Sequence, residues 1–127
     1  MTEPKLGEFC WNELATPDVQ ASKDFYGQLL GWKFTDHEMG DTSYTMIQKD
    51  DGEFGGMWRI PTDQQNQIPP HWMSYILVED IQSTLKKAKE LGAEVKMPIT
   101  QIGEMGSFII VVDPTGAHIA FWESTKE

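Results

Sequence analysis

The sequence predicts an α+β fold built from two tandem βαβββ modules. Three observations carry this expectation. The chain repeats itself: Ser43-Tyr44, Gly52, Gly56 and Trp58 recur 64 residues later as Ser107-Phe108, Gly116, Ala120 and Trp122, and Asp18-Val19-Gln20-Ala21-Ser22 recurs 62 residues later as Asp80-Ile81-Gln82-Ser83-Thr84. Each copy also carries the same order of strand, helix and three strands by hydrophobic period. Between the copies, residues 61–71 read Pro-Thr-Asp-Gln-Gln-Asn-Gln-Ile-Pro-Pro-His, a stretch with three prolines and few apolar side chains that suits a connection. A module of about 60 residues buries too little surface to be robust alone, so the copies are expected to share a core or a sheet within one domain. Module 1 then covers 6–60 and module 2 covers 72–125.

Within module 1, bulky side chains mark residues 8–15 as a strand. Thr16 is placed to cap the following helix, with Pro17 at its first position and Asp18 in its first turn. Val19, Phe25, Tyr26, Leu29 and Leu30 fall on one helical face, and Gly31 stops the helix. Residues 32–36, 43–49 and 54–60 read as strands, the last two joined at Asp50-Asp51-Gly52. In module 2, a strand over 72–78 leads to a helix capped by Asp80, with Ile81, Leu85, Ala88 and Leu91 on its apolar face and Gly92 at its end. Strands follow at 94–97, 108–112 and 118–122, the last pair joined by Asp113-Pro114-Thr115-Gly116 with Pro and Gly where a type I turn favours them. Residues 98–106 are expected to form a loop.

Composition narrows the function classes. An apolar fraction of 39 % and five tryptophans support a folded globule. The net charge of −10 argues against nucleic acid, whose phosphates require clustered Lys and Arg. No run approaches the roughly 20 apolar residues of a membrane span, and the start Met1-Thr2-Glu3-Pro4-Lys5 has no apolar signal stretch, so a cytoplasmic protein without a membrane partner is expected. The single cysteine, Cys10, cannot form an internal disulfide. It is expected to be a structural thiol facing a helix.

The paired modules, together with Phe25-Tyr26-Gly27-Gln28-Leu29-Leu30-Gly31-Trp32 around the end of the first helix and Asp113-Pro114-Thr115-Gly116 before the last strand, resemble the vicinal oxygen chelate superfamily over nearly the whole chain. The glyoxalase/bleomycin resistance subgroup is the part it is most similar to. The resemblance implies that each module curls a mixed sheet into a half-barrel and that the two enclose a shared cavity. It also implies a small-molecule partner and a homodimer. Many members hold a divalent metal with side chains from the first and last strands of each module, usually His, Gln or Glu. Those slots fall at or next to Trp11, Gly56, Met73 and Ala120, none of which offers an imidazole, carboxylate or thiolate. No metal and no other cofactor is therefore expected.

Strand alternation lists what shares a face with the vacated slots. Phe9, Trp11 and Glu13 go together, as do Gly56 and Trp58, Met73 with Tyr75 and Leu77, and Ala120 with His118 and Trp122. The predicted substrate-binding set is Trp11, Trp58, Met73, Tyr75 and Trp122. Each is either a ligand contact or interior packing. Glu13 and His118 are the candidate catalytic residues, because a carboxylate among rings loses hydration and imidazole titrates near neutrality. Glu13 paired to a neighbouring group is the structural alternative. His37 is expected to be solvated, His71 to lie near the rim, and Lys86, Lys87 and Lys89 to form the solvated face of the second helix.

Two readings compete. One is a metal-free protein that holds an apolar or planar small molecule between aromatic walls. The other is a metal-free lyase or isomerase using Glu13 with His118 or Tyr75. A metal-dependent lactoylglutathione lyase-like or dioxygenase activity conflicts with the missing ligands.

Overall fold

A computed structural model describes residues 4–125 apart from 40, 41 and 51, so Asp51 of the expected hairpin turn and Met1, Thr2 and Glu3 of the expected leaderless start lie outside the described residues. The chain forms β1 (Phe9–Thr16), α1 (Val19–Leu30), β2 (Lys33–Met39), β3 (Thr42–Gln48), β4 (Glu53–Arg59), a short 3-10 turn (Thr62–Gln64), β5 (His71–Leu77), α2 (Ile81–Glu90), β6 (Glu94–Ile102), β7 (Gly106–Val112) and β8 (His118–Ser124). Two βαβββ runs are present, as the repeat predicts. The contacts divide the chain into two compact units, Trp11–Met73 and a second composed of the residues up to Cys10 with Ser74–Glu127.

In the first unit the strand order is β2-β3-β4-β1, with β1 parallel to β4 and the other pairs antiparallel. In the second it is β6-β7-β8-β5, with β5 parallel to β8. The topology is the same, and so is the register: Glu13 stands opposite Gly56 in one unit, and Tyr75 opposite Ala120 in the other. These four positions are related by the sequence offsets of 62 and 64. The duplication is therefore structural down to the cross-strand pair.

Each sheet buries one face under its helix. In the first unit Leu14, Ile47 and Met57 form the core, packed against by Val19 and Tyr26 of α1 and by Trp32 and Phe34. In the second, Ile81, Ile109 and Val111 do so with Val78, Leu85, Ala93, Ile119 and Phe121. A strand exposes alternate side chains to opposite faces, so Trp11, Glu13, Tyr44, Gly56 and Trp58 fall on the helix-free face of the first sheet.

Four expectations are corrected. Asp18, not Thr16, caps α1: it is extended at φ −142° and its Oδ1 accepts from the Ala21 N–H at 3.0 Å. Thr16 stays in the sheet opposite Arg59, where its carbonyl accepts from Ile60 N–H, and its hydroxyl instead accepts from Asp18 N–H and Ser22 Oγ–H. Pro17 is accordingly outside the helix. On α1 only Val19 and Tyr26 reach the core, while Phe25, Leu29 and Leu30 are exposed. On the second helix face, Leu91 lies past the last turn and is exposed.

The fourth correction concerns residues 98–106. Most of the expected loop is strand, because β6 continues to Ile102 with Thr100 opposite Phe108 and Ile102 opposite Gly106. Pro98 is accommodated because β6 is an outer strand and the pairing is irregular between Met97 and Thr100, so no ladder hydrogen bond is required of its nitrogen. The Asp113 turn forms as expected. Gly116 N–H donates to the Asp113 carbonyl at 2.9 Å, and Asp113 Oδ1 accepts from Thr115 N–H, Thr115 Oγ1–H and Ala117 N–H.

Candidate functional site

The helix-free face of the first sheet carries a connected polar group set among rings. Trp11 Nε1–H donates to the Tyr44 hydroxyl oxygen at 3.0 Å, and Tyr44 O–H donates to Glu13 Oε2 at 2.7 Å. Trp11 and Glu13 are two residues apart on β1, so they present to one side, and Tyr44 reaches them from β3 across β4. What lets it reach is Gly56. A Cβ built on Gly56 would overlap the Tyr44 hydroxyl and the ring carbon bearing it, and would stand 2.6 Å from Cε2. The phenol thus fills the space that a side chain at position 56 would take.

Burial is the main cause that pushes the Tyr44 hydroxyl well above the ordinary phenol range. The negative charge of Glu13 acts in the same direction, since a phenolate beside a carboxylate would be repelled, and the Trp11 hydrogen bond opposes it in part. Tyr44 consequently remains a neutral donor to Glu13 at any physiological pH. The short charge-assisted bond holds the carboxylate in one orientation.

The second unit has the corresponding geometry with different chemistry. Tyr75, 6 % exposed, meets Phe108 edge-on with ring centroids 6.0 Å apart, and Ala120 is fully buried. Tyr75 and Phe108 are the repeat mates of Glu13 and Tyr44. The same contact is an acid–phenol hydrogen bond in one copy and a ring–ring contact in the other. Trp122 is half-buried and lies over Gly106, where a Cβ would come within 2.6 Å of its Cζ2.

The remaining expected site residues are placed as follows. Trp58 is half-buried on β4 and Met73 is buried on β5. His118 is exposed at the start of β8, and Phe9 is 64 % exposed. His71 is the first residue of β5, its Nδ1 2.7 Å from the Pro69 carbonyl oxygen, and His37 is exposed on β2. Cys10 is half-buried, and burial pushes its thiol above the ordinary range, which favours the protonated form. Tyr44 is the residue that sequence reasoning missed as a site member. Its signal was the repeat itself, which paired Tyr44 with Phe108 and so marked a place where the two copies differ by a hydroxyl.

A metal does not fit this donor set. Trp11, Gly56, Met73 and Ala120 supply no ordinary ligand, and the space at Gly56 is taken by a phenol whose oxygen is engaged on both sides. Among the described residues no three His, Cys, Asp or Glu side chains cluster as a metal site would require. A cleft of about 490 Å³ in the second unit is bordered by Asp80, Ile99, Gln101 and Glu123. Two of its carboxylates serve the start of α2: Asp80 accepts from Gln82 and Ser83 N–H, and Glu123 Oε1 accepts from Ile81 N–H at 2.7 Å.

The fold and this face define a protein of paired βαβββ modules. The sequence profile of the Glyoxalase/Bleomycin resistance protein/Dioxygenase superfamily matches residues 7–121, and the chain belongs to that family. It is 31 % identical over 127 residues to a candidate glyoxylase, CFP32, of Mycobacterium tuberculosis, an alignment covering 98 % of this chain and 49 % of the relative. It is 30 % identical over 134 residues to the anthracycline biosynthesis protein DnrV of Streptomyces peucetius, covering 96 % of this chain and 49 % of the relative. The chain thus spans about half the length of these curated relatives. Among solved structures it is similar to a methylmalonyl-CoA epimerase from Mycobacterium tuberculosis, with TM-score 0.68, 12 % identity and coverage of 99 % of this chain and 94 % of that one. A homoprotocatechuate 2,3-dioxygenase from B. fuscum aligns with TM-score 0.65 and 16 % identity over 98 % of this chain and 34 % of its own. At those identities the likeness is one of fold.

Proposed function

We propose that this chain is a metal-free, small-molecule-binding member of its family, acting as a cytoplasmic homodimer. The observation that carries the reading is the placement of Tyr44 over Gly56, bonded to Trp11 and Glu13. It puts an oriented polar pair among aromatic rings where a metal-ligand side chain would otherwise project. Trp11 and Trp58 are the stacking walls of the first module, and Met73, Tyr75 and Trp122 are the apolar set contributed by strands β5 and β8. Rings supply contact area at low entropic cost, and a few oriented polar groups select the ligand. The relationship to DnrV supports a planar ligand, because anthracyclines are fused-ring compounds.

The test is titration of the purified protein with an anthracycline aglycone, followed by tryptophan fluorescence and calorimetry. Saturable binding is expected, weakened about tenfold or more by Trp58→Ala, since loss of one stacked ring removes roughly 1–3 kcal/mol of contact. Unchanged affinity in both Trp58→Ala and Trp122→Ala would sink the stacking-wall reading. Stoichiometric Ni, Zn, Fe or Mn in dialysed protein would overturn the metal-free part. A second reading, proton transfer by an isomerase or lyase, is favoured by the Glu13–Tyr44 bond, which holds a candidate base in one orientation. Here turnover of a small carbonyl compound must collapse in Glu13→Gln, which keeps shape and removes the base.

A further inference from the structure

One flank of α1 carries apolar side chains that the core does not use. Phe25 and Leu29 lie one helical turn apart and are 59 % and 63 % exposed. The rings beside them form a connected ladder. Phe25 meets Tyr26 edge-on with centroids 4.9 Å apart, Tyr26 stacks on Trp32 at 5.1 Å, and Trp32 meets Phe54 of β4 edge-on at 5.2 Å. Trp72 of β5 closes the group, edge-on to Tyr26 at 5.6 Å, and its Nε1–H donates to the Tyr26 hydroxyl oxygen at 3.2 Å. Phe54 and Trp72 stay 40 % exposed, and Leu30, one turn after Tyr26, 43 %. All these residues belong to the one compact unit Trp11–Met73. The rings hold one another in place, so a partner would find this face already ordered and little side-chain entropy would be lost on contact.

Area and charge decide what fits it. At about 200 Å² for a fully exposed side chain of this size, the exposed fractions of Phe25, Leu29, Leu30, Phe54 and Trp72 present roughly 500 Å² of apolar surface. A stable interface buries about 800 Å² of each partner, about 60 % of it non-polar, so the apolar share it needs is the same size. With 20 acidic against 10 basic residues, two copies of the chain repel over most of their surface and approach best where contact side chains are uncharged. The helix neighbours of Phe25 at three and four residues are Ala21, Ser22, Gln28 and Leu29, none of them charged. Charges of both signs come only at the border: Asp24 on the next side of α1, Glu53 before Phe54, and Lys49, whose Nζ is 3.5 Å from a Cβ built on Gly31. An apolar centre with a polar rim is the anatomy of a protein interface. The partner's size has a parallel in CFP32 and DnrV, of which this chain spans 49 % each, so each carries about one further chain length.

We propose that this ring face, centred on Phe25 and Leu29, is the surface through which two copies of the chain dock. The proposal rests on the homodimer reading above and assigns its interface. The contact is isologous, each copy presenting the same patch to the other.

The test is sedimentation equilibrium of the full chain from 1 to 100 µM, with the Phe25→Asp/Leu29→Asp double variant beside it. The unmodified chain is expected to sediment at twice the chain mass at tens of micromolar. The double variant should raise the dimer dissociation constant at least about a hundredfold, because it places unpaired charges in a face that must lose its water. Both residues are exposed, so the variant should keep its circular dichroism and urea midpoint. Met105→Asp, at another exposed apolar side chain in the second unit, should leave the dimer intact. A dimer that survives the double variant would overturn the assignment and leave the homodimer standing, whereas a chain monomeric at 100 µM would sink both. A monomer that cosediments with phosphatidylcholine vesicles through these two residues would give the face to a lipid surface and overturn the second-copy assignment.

Discussion

Replacing Gly56 by alanine is the sharpest probe of the site's construction. The added Cβ would overlap the Tyr44 hydroxyl and its ring carbon, and the next ring atom, Cε2, would be 2.6 Å away. Tyrosine has two side-chain torsions and the ring is rigid, so the clash is relieved only by swinging the whole ring. That movement breaks the 3.0 Å bond from Trp11 and the 2.7 Å bond to Glu13 together. Losing one charge-assisted and one neutral hydrogen bond, with the strain of repacking, corresponds to about 2–4 kcal/mol. For a chain of this size that is a fall in Tm of about 10 °C. The same substitution in a Tyr44→Ala background meets no ring, and Gly→Ala within a strand is then near neutral or stabilising. A urea-denaturation double-mutant cycle should therefore show a coupling of about 2 kcal/mol between positions 44 and 56. A Gly56→Ala cost below about 0.5 kcal/mol, or an equal cost in both backgrounds, would refute the placement of Tyr44.

Three further outcomes follow from the same structure. Tyr44 should not contribute to the absorbance change of tyrosinate formation near pH 10, so Tyr44→Phe should leave that amplitude unchanged, and a measurable loss would contradict its burial beside Glu13. Asp36, Asp80 and Asp113 have carboxyls held below the ordinary range, mainly by the Thr45 hydroxyl, Ser83 N–H and Ala117 N–H respectively. A lowered folded value means that their stabilisation is complete above the unfolded value of about 4 and is lost as pH falls through the folded values, so the urea midpoint should drop below about pH 4. That slope should be shallower in Asp113→Asn, and an identical slope would count against the turn. Finally, Ile109 is fully buried in the core of the second unit, and Ile109→Ala should cost about 2–5 kcal/mol in denaturant, whereas Ile99→Ala on exposed β6 should cost well under 1 kcal/mol.

The legibility of the fold came from local chemistry. Gly31 at φ 75° and Gly92 at φ 100° follow the two helices where a left-handed residue was expected, and Asp80 caps α2 as its position implied. The errors lay where a neighbour overrode local preference. Thr16 is a good cap by type, yet its backbone is recruited by Arg59 and Ile60 and stays extended. Pro98 reads as a loop residue, yet β7 supplies partners on either side of it. Phe25 and Leu29 fit an apolar helical stripe, but the sheet beneath α1 has room only for Val19 and Tyr26.

The sequence by itself determined the duplication, the order of elements in each copy, the family, and that Gly56 and Ala120 offer no ligand side chain, because repeats, periodicity and ligand chemistry are properties of residue type and spacing. Only the tertiary structure decided what replaced the side chain at position 56. Tyr44 is 12 residues from Gly56 and 31 from Glu13 in the chain, and nothing local ties them. Folding the β3 and β4 strands beside β1 brings a phenol across a glycine onto a carboxylate. The repeat predicted equivalent positions in both copies, but the contact between them is hydrogen-bonded in one and ring-to-ring in the other, since a single hydroxyl and a single carboxylate change what the same geometry can hold.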